Sequence, residues 1–137
     1  MAQAGKTTIL LADDDPMLAD IYQRKFTRLG FTMVVVADGS EVQAAIHEHS
    51  PNLVLLDRKL PPGDGLDILR SLRGQPETKD LAVILLTNLD PTTEERAEAR
   101  ALGAIDYLIK EHVDLNTLAL KIKTLLDSPV RQASEKN

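Results

Sequence analysis

No cysteine occurs among the 137 residues. That excludes disulfides, thiol nucleophiles and cysteine-based zinc sites, and it suits a reducing compartment. A basic surplus is also missing: 16 Lys and Arg stand against 21 Asp and Glu, for a formal charge of -5. Nucleic-acid-binding domains are usually basic, so this balance argues against direct nucleic-acid contact. No apolar run approaches membrane-spanning length, and Met1-Ala2-Gln3-Ala4-Gly5-Lys6 lacks an apolar signal core. The expected location is cytoplasmic, with no membrane partner. Neither an internal repeat nor a linker is visible. Gly5-Lys6-Thr7 resembles the end of a phosphate-binding loop, but that motif needs an earlier glycine and a preceding strand, and here the strand follows. Residues 1–6 are therefore expected to be a flexible leader, and the polar stretch 128–137 a disordered tail.

What is present fits one domain, with 43% hydrophobic residues to build a core. Leu53-Val54-Leu55-Leu56 runs straight into Asp57, bounded by Pro51-Asn52 before and Pro61-Pro62-Gly63-Asp64-Gly65 after. A short apolar run between turn signals is a strand buried on both faces. Thr8 to Ala12, Phe31 to Val36, Leu81 to Leu86 and Ala104 to Ile109 read as four more strands. Helical spacing separates them. Asp15 followed by Pro16 caps the first helix, whose spaced residues are Met17, Leu18, Ile21, Tyr22, Lys25, Phe26 and Leu29, with Gly30 ending it. Asp38 with Glu41 reads as a capping box opening the second helix, where His47 and His49 are solvated surface residues. The third helix runs from about Asp64 to Leu72. Asp90-Pro91 repeats the cap-then-proline start for a fourth helix, roughly 91–102, whose apolar residues are mostly alanine, so little area anchors it. A fifth carries Leu115, Leu118, Ala119, Ile122, Leu125 and Leu126 on one stripe.

The alternation is βα repeated five times, which implies an open parallel sheet with helices on both faces. Ligands in such folds bind at the carboxyl ends of the strands. Strands one, three, four and five end there in Asp13 and Asp14, Asp57, Thr87 and Lys110. Asp15 is explained as a cap; Asp13 and Asp14 are not, and adjacent carboxylates repel unless something positive sits between them. Three carboxylates make a divalent-cation site of the kind Mg2+ occupies with waters and phosphate oxygens. A lysine and a hydroxyl beside them supply what phosphoryl transfer to a carboxylate requires.

These residues resemble the response-regulator receiver domain of two-component signalling, in its chemotaxis-regulator-like form. The likeness is carried by Leu11-Ala12-Asp13-Asp14-Asp15-Pro16, Leu55-Leu56-Asp57-Arg58-Lys59-Leu60-Pro61, Asp64-Gly65, Leu86-Thr87 and Gly103-Ala104-Ile105-Asp106-Tyr107-Leu108-Ile109-Lys110, in order, over residues 7–127. The resemblance implies a flavodoxin-like doubly wound α/β fold with strand order 2-1-3-4-5. It implies that Asp57 takes a phosphoryl group from a sensor histidine kinase or phosphotransfer protein. It implies that Mg2+ is held by Asp57, by Asp14 directly, by Asp13 mainly through water, and by the backbone carbonyl of Lys59. Thr87 and Lys110 would contact the phosphoryl oxygens, and Tyr107 would turn inward on activation. Helix four, strand five and helix five would then present the output surface. Such a domain catalyses its own phosphorylation and dephosphorylation but serves mainly as a switch.

Three departures stand out. The family's proline after the lysine is replaced by Glu111, which makes a cis bond there costly, at ~3 kcal/mol, and puts the aim of Lys110 in question. Lys59 puts a second cation beside the site, and Leu89 makes one rim apolar. Two other readings stay open. Asp13-Asp14-Asp15 supplies the Asp-x-Asp pattern of haloacid dehalogenase-like phosphatases, and a pseudo-receiver would bind protein without taking phosphate. No effector segment follows residue 127, so the expected output is a protein contact or onward phosphotransfer, unless the sequence is part of a longer chain.

Overall fold

The computed structural model describes residues 7–127; the expected leader and tail lie outside them. Five parallel strands alternate with five helices: β1 (Thr8–Ala12), α1 (Pro16–Arg28), β2 (Thr32–Val36), α2 (Val42–His49), β3 (Leu53–Asp57), α3 (Gly65–Arg73), β4 (Ala82–Thr87), α4 (Thr93–Ala101), β5 (Asp106–Ile109) and α5 (Leu115–Asp127). The sheet order is β2-β1-β3-β4-β5, all pairs parallel. β3 lies at the centre, which explains its unbroken apolar run: Leu53 to Leu56 have no exposed surface.

Alternation along the strands divides the core in two. Ile9, Leu11, Leu53, Leu55, Ile84 and Leu86 face α1 and α5, while Leu10, Ala12, Val54, Leu56, Val83 and Leu85 face the helices on the other side. Each fully buried Leu or Ile contributes about 1.5–3 kcal/mol. Along α1 the inward residues are Ala19, Tyr22 and Phe26. Met17, Ile21 and Leu29 stand 75%, 49% and 44% exposed, so three of the seven residues at helical spacing face water. Helical spacing alone admits either face; the stacked Tyr22 and Phe26 rings, with Phe31 beyond, decide it.

Three local features differ from the sequence expectation. The Pro-Gly stretch after Asp57 forms a two-stranded antiparallel hairpin, Lys59–Leu60 with Gly63–Asp64, ahead of the α3 cap at Asp64. Asp38 caps a single 3-10 turn, Gly39–Glu41, through the Ser40 amide, and α2 begins only at Val42 without a side-chain cap. The start of α4 is Thr92, whose hydroxyl accepts from the Glu95 amide while the Glu95 carboxylate accepts from the Thr92 amide. A reciprocal box satisfies two free amides and outcompetes the lone acid at Asp90, which instead accepts from Arg96 at 3.2 Å.

Candidate functional site: the acidic edge of the sheet

The site is built from strand ends. Asp13 follows β1 and is fixed by its own amide, which donates to the Val36 carbonyl at 3.0 Å, and by its Oδ1, which accepts from the Asp15 amide at 3.0 Å. Asp15 itself caps α1, accepting from the Met17 and Leu18 amides. Asp57 closes β3, its Oδ1 accepting from the Lys59 amide at 3.2 Å. Both Asp13 and Asp57 are buried, at 1% and 3% exposure, while Asp14 faces solvent. One carboxylate oxygen from each of Asp13, Asp14 and Asp57 falls within 4.8 Å of the others.

Lys110 reaches into this cluster from the end of β5. Its Nζ lies 2.7 Å from Asp57 Oδ2 and 2.9 Å from Asp13 Oδ2. The doubt raised by Glu111 is thus resolved: the bond after Lys110 is trans, a 3-10 turn begins at Lys110, and the side chain still enters the site. Burial pushes the Asp57 carboxyl above its usual range, and the ammonium of Lys110 offsets only part of that. For Lys110, burial works against the charge, but the two carboxylates outweigh it and the net movement is upward. Asp13 Oδ2 has charge contact with Lys110 but no aligned hydrogen-bond donor. A buried anionic oxygen held in that way, with three carboxylates balanced by one ammonium, suits a divalent cation. The expected metal set therefore fits in its Asp13, Asp14 and Asp57 members. The side chain of Lys59 is exposed at the rim of the cleft and makes no contact with the cluster, so its expected part in the metal set falls to its backbone carbonyl.

Thr87 ends β4 at 7% exposure, and its Oγ1 accepts from the Leu89 amide at 3.3 Å. The open cleft above the cluster is lined by Asp14, Asp57, Arg58, Lys59, Leu60, Pro61, Gly63, Asp64 and Asn88. Leu89 is 68% exposed and stands outside it, so Asn88 supplies that rim. Gly65 packs against the backbone at the end of β3: a Cβ there would lie 2.4 Å from the Asp57 carbonyl oxygen. Under the site, the Tyr22 hydroxyl is buried without a partner, and burial first, then the negative charge of Asp13, push it up to about 12.

One participant escaped sequence reasoning. Arg58, next to Asp57, donates to Asp64 at 2.7 Å, to Glu95 at 2.8 Å and to the Tyr107 hydroxyl at 2.9 Å. Tyr107, expected to turn inward only on activation, is already buried at 6% exposure. The available signal was positional: an arginine one step past Asp57 sits where alternation sends its side chain to the opposite sheet face, among the starts of α3 and α4.

The fold and this edge define a class of protein. Residues 9–123 match the response regulator receiver domain family, and the chain belongs to that family. The probable transcriptional regulatory protein TcrX of Mycobacterium tuberculosis is 34% identical over 91% of this chain and 52% of its own length. The DNA-binding dual master transcriptional regulator RpaA of Synechocystis is 31% identical over 86% of this chain and 48% of its own. Among solved structures, the receiver domain of the Francisella response regulator 1452 superposes with a TM-score of 0.79 at 30% identity, covering 88% of this chain and 97% of that one. A CheY-like receiver domain protein from Methanospirillum hungatei reaches a TM-score of 0.83 at 26% identity, covering 93% and 99%.

The chain spans about half the length of the curated relatives it matches. Some of those relatives are described as DNA-binding regulators. The acidic balance therefore speaks for this sequence alone, and the expectation of no nucleic-acid contact is not supported for a whole regulator. Among the described residues, no helix is long and apolar enough to cross a membrane.

Proposed function

We propose that Asp57 is the phosphoacceptor of this receiver domain and that its donor is a phosphohistidine on a sensor kinase or phosphotransfer protein. The observation that carries this reading is Lys110, whose Nζ joins Asp57 and Asp13 at 2.7 and 2.9 Å inside a three-carboxylate cluster. Asp57 is the cluster member at the end of the central strand, and burial makes its anion less stable and so more reactive. Its carboxylate oxygen forms the bond to phosphorus while the P–N bond to the donor imidazole breaks, and the bond's electron pair returns to the nitrogen. Mg2+, held by Asp13, Asp14, Asp57 and the Lys59 carbonyl, would supply charge neutralisation at the phosphoryl oxygens. Lys110 exchanges one carboxylate for a phosphoryl oxygen, and Thr87 turns its hydroxyl from the Leu89 amide towards another.

The phosphatase alternative needs Asp15 in the site, whereas Asp15 is spent on the α1 cap. The pseudo-receiver alternative is disfavoured by the cluster itself: carboxylate oxygens of Asp13, Asp14 and Asp57 lie within 4.8 Å of one another and Lys110 Nζ lies 2.7 Å from Asp57. The test is to incubate wild type and Asp57→Asn with acetyl phosphate and Mg2+ and to weigh the intact proteins. Wild type gains one labile phosphoryl group and the variant none. Equal labelling of the two overturns the assignment; so does the absence of labelling in wild type.

A further inference from the structure

Arg58 makes three side-chain contacts, and the three partners belong to different elements. Asp64 is the N-cap of α3, accepting from the Leu66 amide as well as from Arg58. Glu95 is the third residue of α4 and half of its capping box. Tyr107 lies on β5 with its ring buried and its hydroxyl on Arg58 Nη1. The main chain of Arg58 is fixed as well: its amide donates to the Leu86 carbonyl at 2.7 Å, and its carbonyl accepts from the Gly65 amide at 2.6 Å. The backbone and Nε are thus anchored at the start of α3, while Nη1 carries both Glu95 and Tyr107, and the side chain is 21% exposed. By contrast, α4 buries only Ala99. Beyond that alanine, side-chain ties reach the helix at its first turn from Arg58 through Glu95, along its length from Arg70 through Glu98, and at its C-cap from Arg73, which donates to the Leu102 carbonyl at 2.6 Å.

We propose that Arg58 is the joint through which the state of Asp57 reaches α4: it keeps Tyr107 buried in both states, and the Glu95 arm is the one that yields. The inference rests on Asp57 being the acceptor, and it follows from where movement can go. Thr87 must rotate to meet a phosphoryl group, and residues 88–92 lead from it directly into the α4 cap. Any pull on that segment falls on the Arg58–Glu95 contact, because the guanidinium is anchored elsewhere. Tyr107 has no such pull on it. Its hydroxyl keeps a charged donor, and its ring fills space that nothing else would occupy. Arg58 is a positioning residue, acting through Glu95 and Tyr107 rather than on the phosphoryl group.

Hydrogen exchange on the unphosphorylated protein tests the joint without relying on Asp57 chemistry. Glu95→Gln keeps an acceptor for the Thr92 amide, since glutamine serves in capping boxes, but removes the ion pair. Arg58→Ala removes all three contacts and Arg58→Lys restores only one charge. Loss of a charge-assisted bond is expected to lower protection of the Glu95 and Arg96 amides about tenfold in Glu95→Gln and Arg58→Ala, with partial rescue in Arg58→Lys. A second readout follows Tyr107 ring resonances as beryllofluoride and Mg2+ are added. They stay in place in wild type and in Glu95→Gln, and they shift in Arg58→Ala. Wild-type protection in Glu95→Gln overturns the Glu95 arm. Movement of the Tyr107 ring in wild type overturns the claim that it stays buried. Failure of beryllofluoride to shift any resonance around Asp57 would count against the acceptor assignment instead, leaving the exchange result to judge the joint.

Discussion

Lys110 holds one positive charge against two buried carboxylates, so removing it exposes what it neutralised. Lys110→Met leaves Asp13 and Asp57 facing each other without a cation. Breaking such a buried set costs about 3–5 kcal/mol at neutral pH, and chemical denaturation should show the loss shrinking when Mg2+ is supplied or when acid protonates one carboxyl. The alkaline side behaves differently. Lys110 is raised above its ordinary 10.5, so the stability it contributes is complete below that pH and is lost as pH climbs through its folded value. Tyr22 adds to the same decline, its contribution complete below 10.0 and lost through about 12. Because the Tyr22 hydroxyl has no partner, Tyr22→Phe is expected to gain about 1 kcal/mol at neutral pH and to flatten the alkaline part of a melting-temperature profile. An unchanged profile would show that the phenol does not titrate there. The exposed Lys59 bears on lifetime. It can reach over the cleft and shield a phosphoryl group from in-line water, so Lys59→Asn should speed phosphate release, read from the decay of the labelled protein; a slower or equal decay refutes shielding. The strand-end acids and Lys110 were legible in the sequence because each terminates an apolar run. Arg58 was not, since its position one step past Asp57 gives only the sheet face it points to, while Glu95 and Tyr107, which make it a joint, lie far along the chain.

The helices differ sharply in what holds them. α3 buries Leu66, Leu69 and Leu72, whereas α4 buries one alanine. Leu69→Ala should cost about 3 kcal/mol of global stability, measurable by urea unfolding. A change at Ala99 should be felt locally, as faster exchange in α4, with little effect on the unfolding midpoint. The same contrast predicts where a phosphoryl mimic acts: amide shifts in residues 88–107 should exceed those in α2, residues 42–49, and the reverse pattern would discard α4 and β5 as the output face. The poverty of α4 was readable from its alanines, but its true cap was not. Asp90-Pro91 is the stronger dipeptide signal, and Thr92 with Glu95 wins only because two hydrogen bonds close at once. For α1 the error ran the other way. Its apolar residues circle the helix, and spacing cannot say which half meets the sheet.

At the scale of the molecule, the strand alternation announced a parallel sheet, and the continuous apolar run of Leu53 to Leu56 announced its centre. The hairpin at Lys59–Leu60 and Gly63–Asp64 was invisible because two-residue strands carry no periodicity. The sheet order has a further consequence. Asp13, Asp57 and Lys110 come from β1, β3 and β5, which lie far apart in sequence and are brought to one edge only when the sheet is closed from β1 through β4 to β5. Contacts of such long range form late, after the cost of closing the intervening loops has been met. A chain still emerging from the ribosome without residue 110 therefore has Asp57 but no lysine to complete the pocket. On the proposed reading, competence to take a phosphoryl group would then require the sheet to be complete through β5, and a copy lacking that strand would not respond to a phosphodonor.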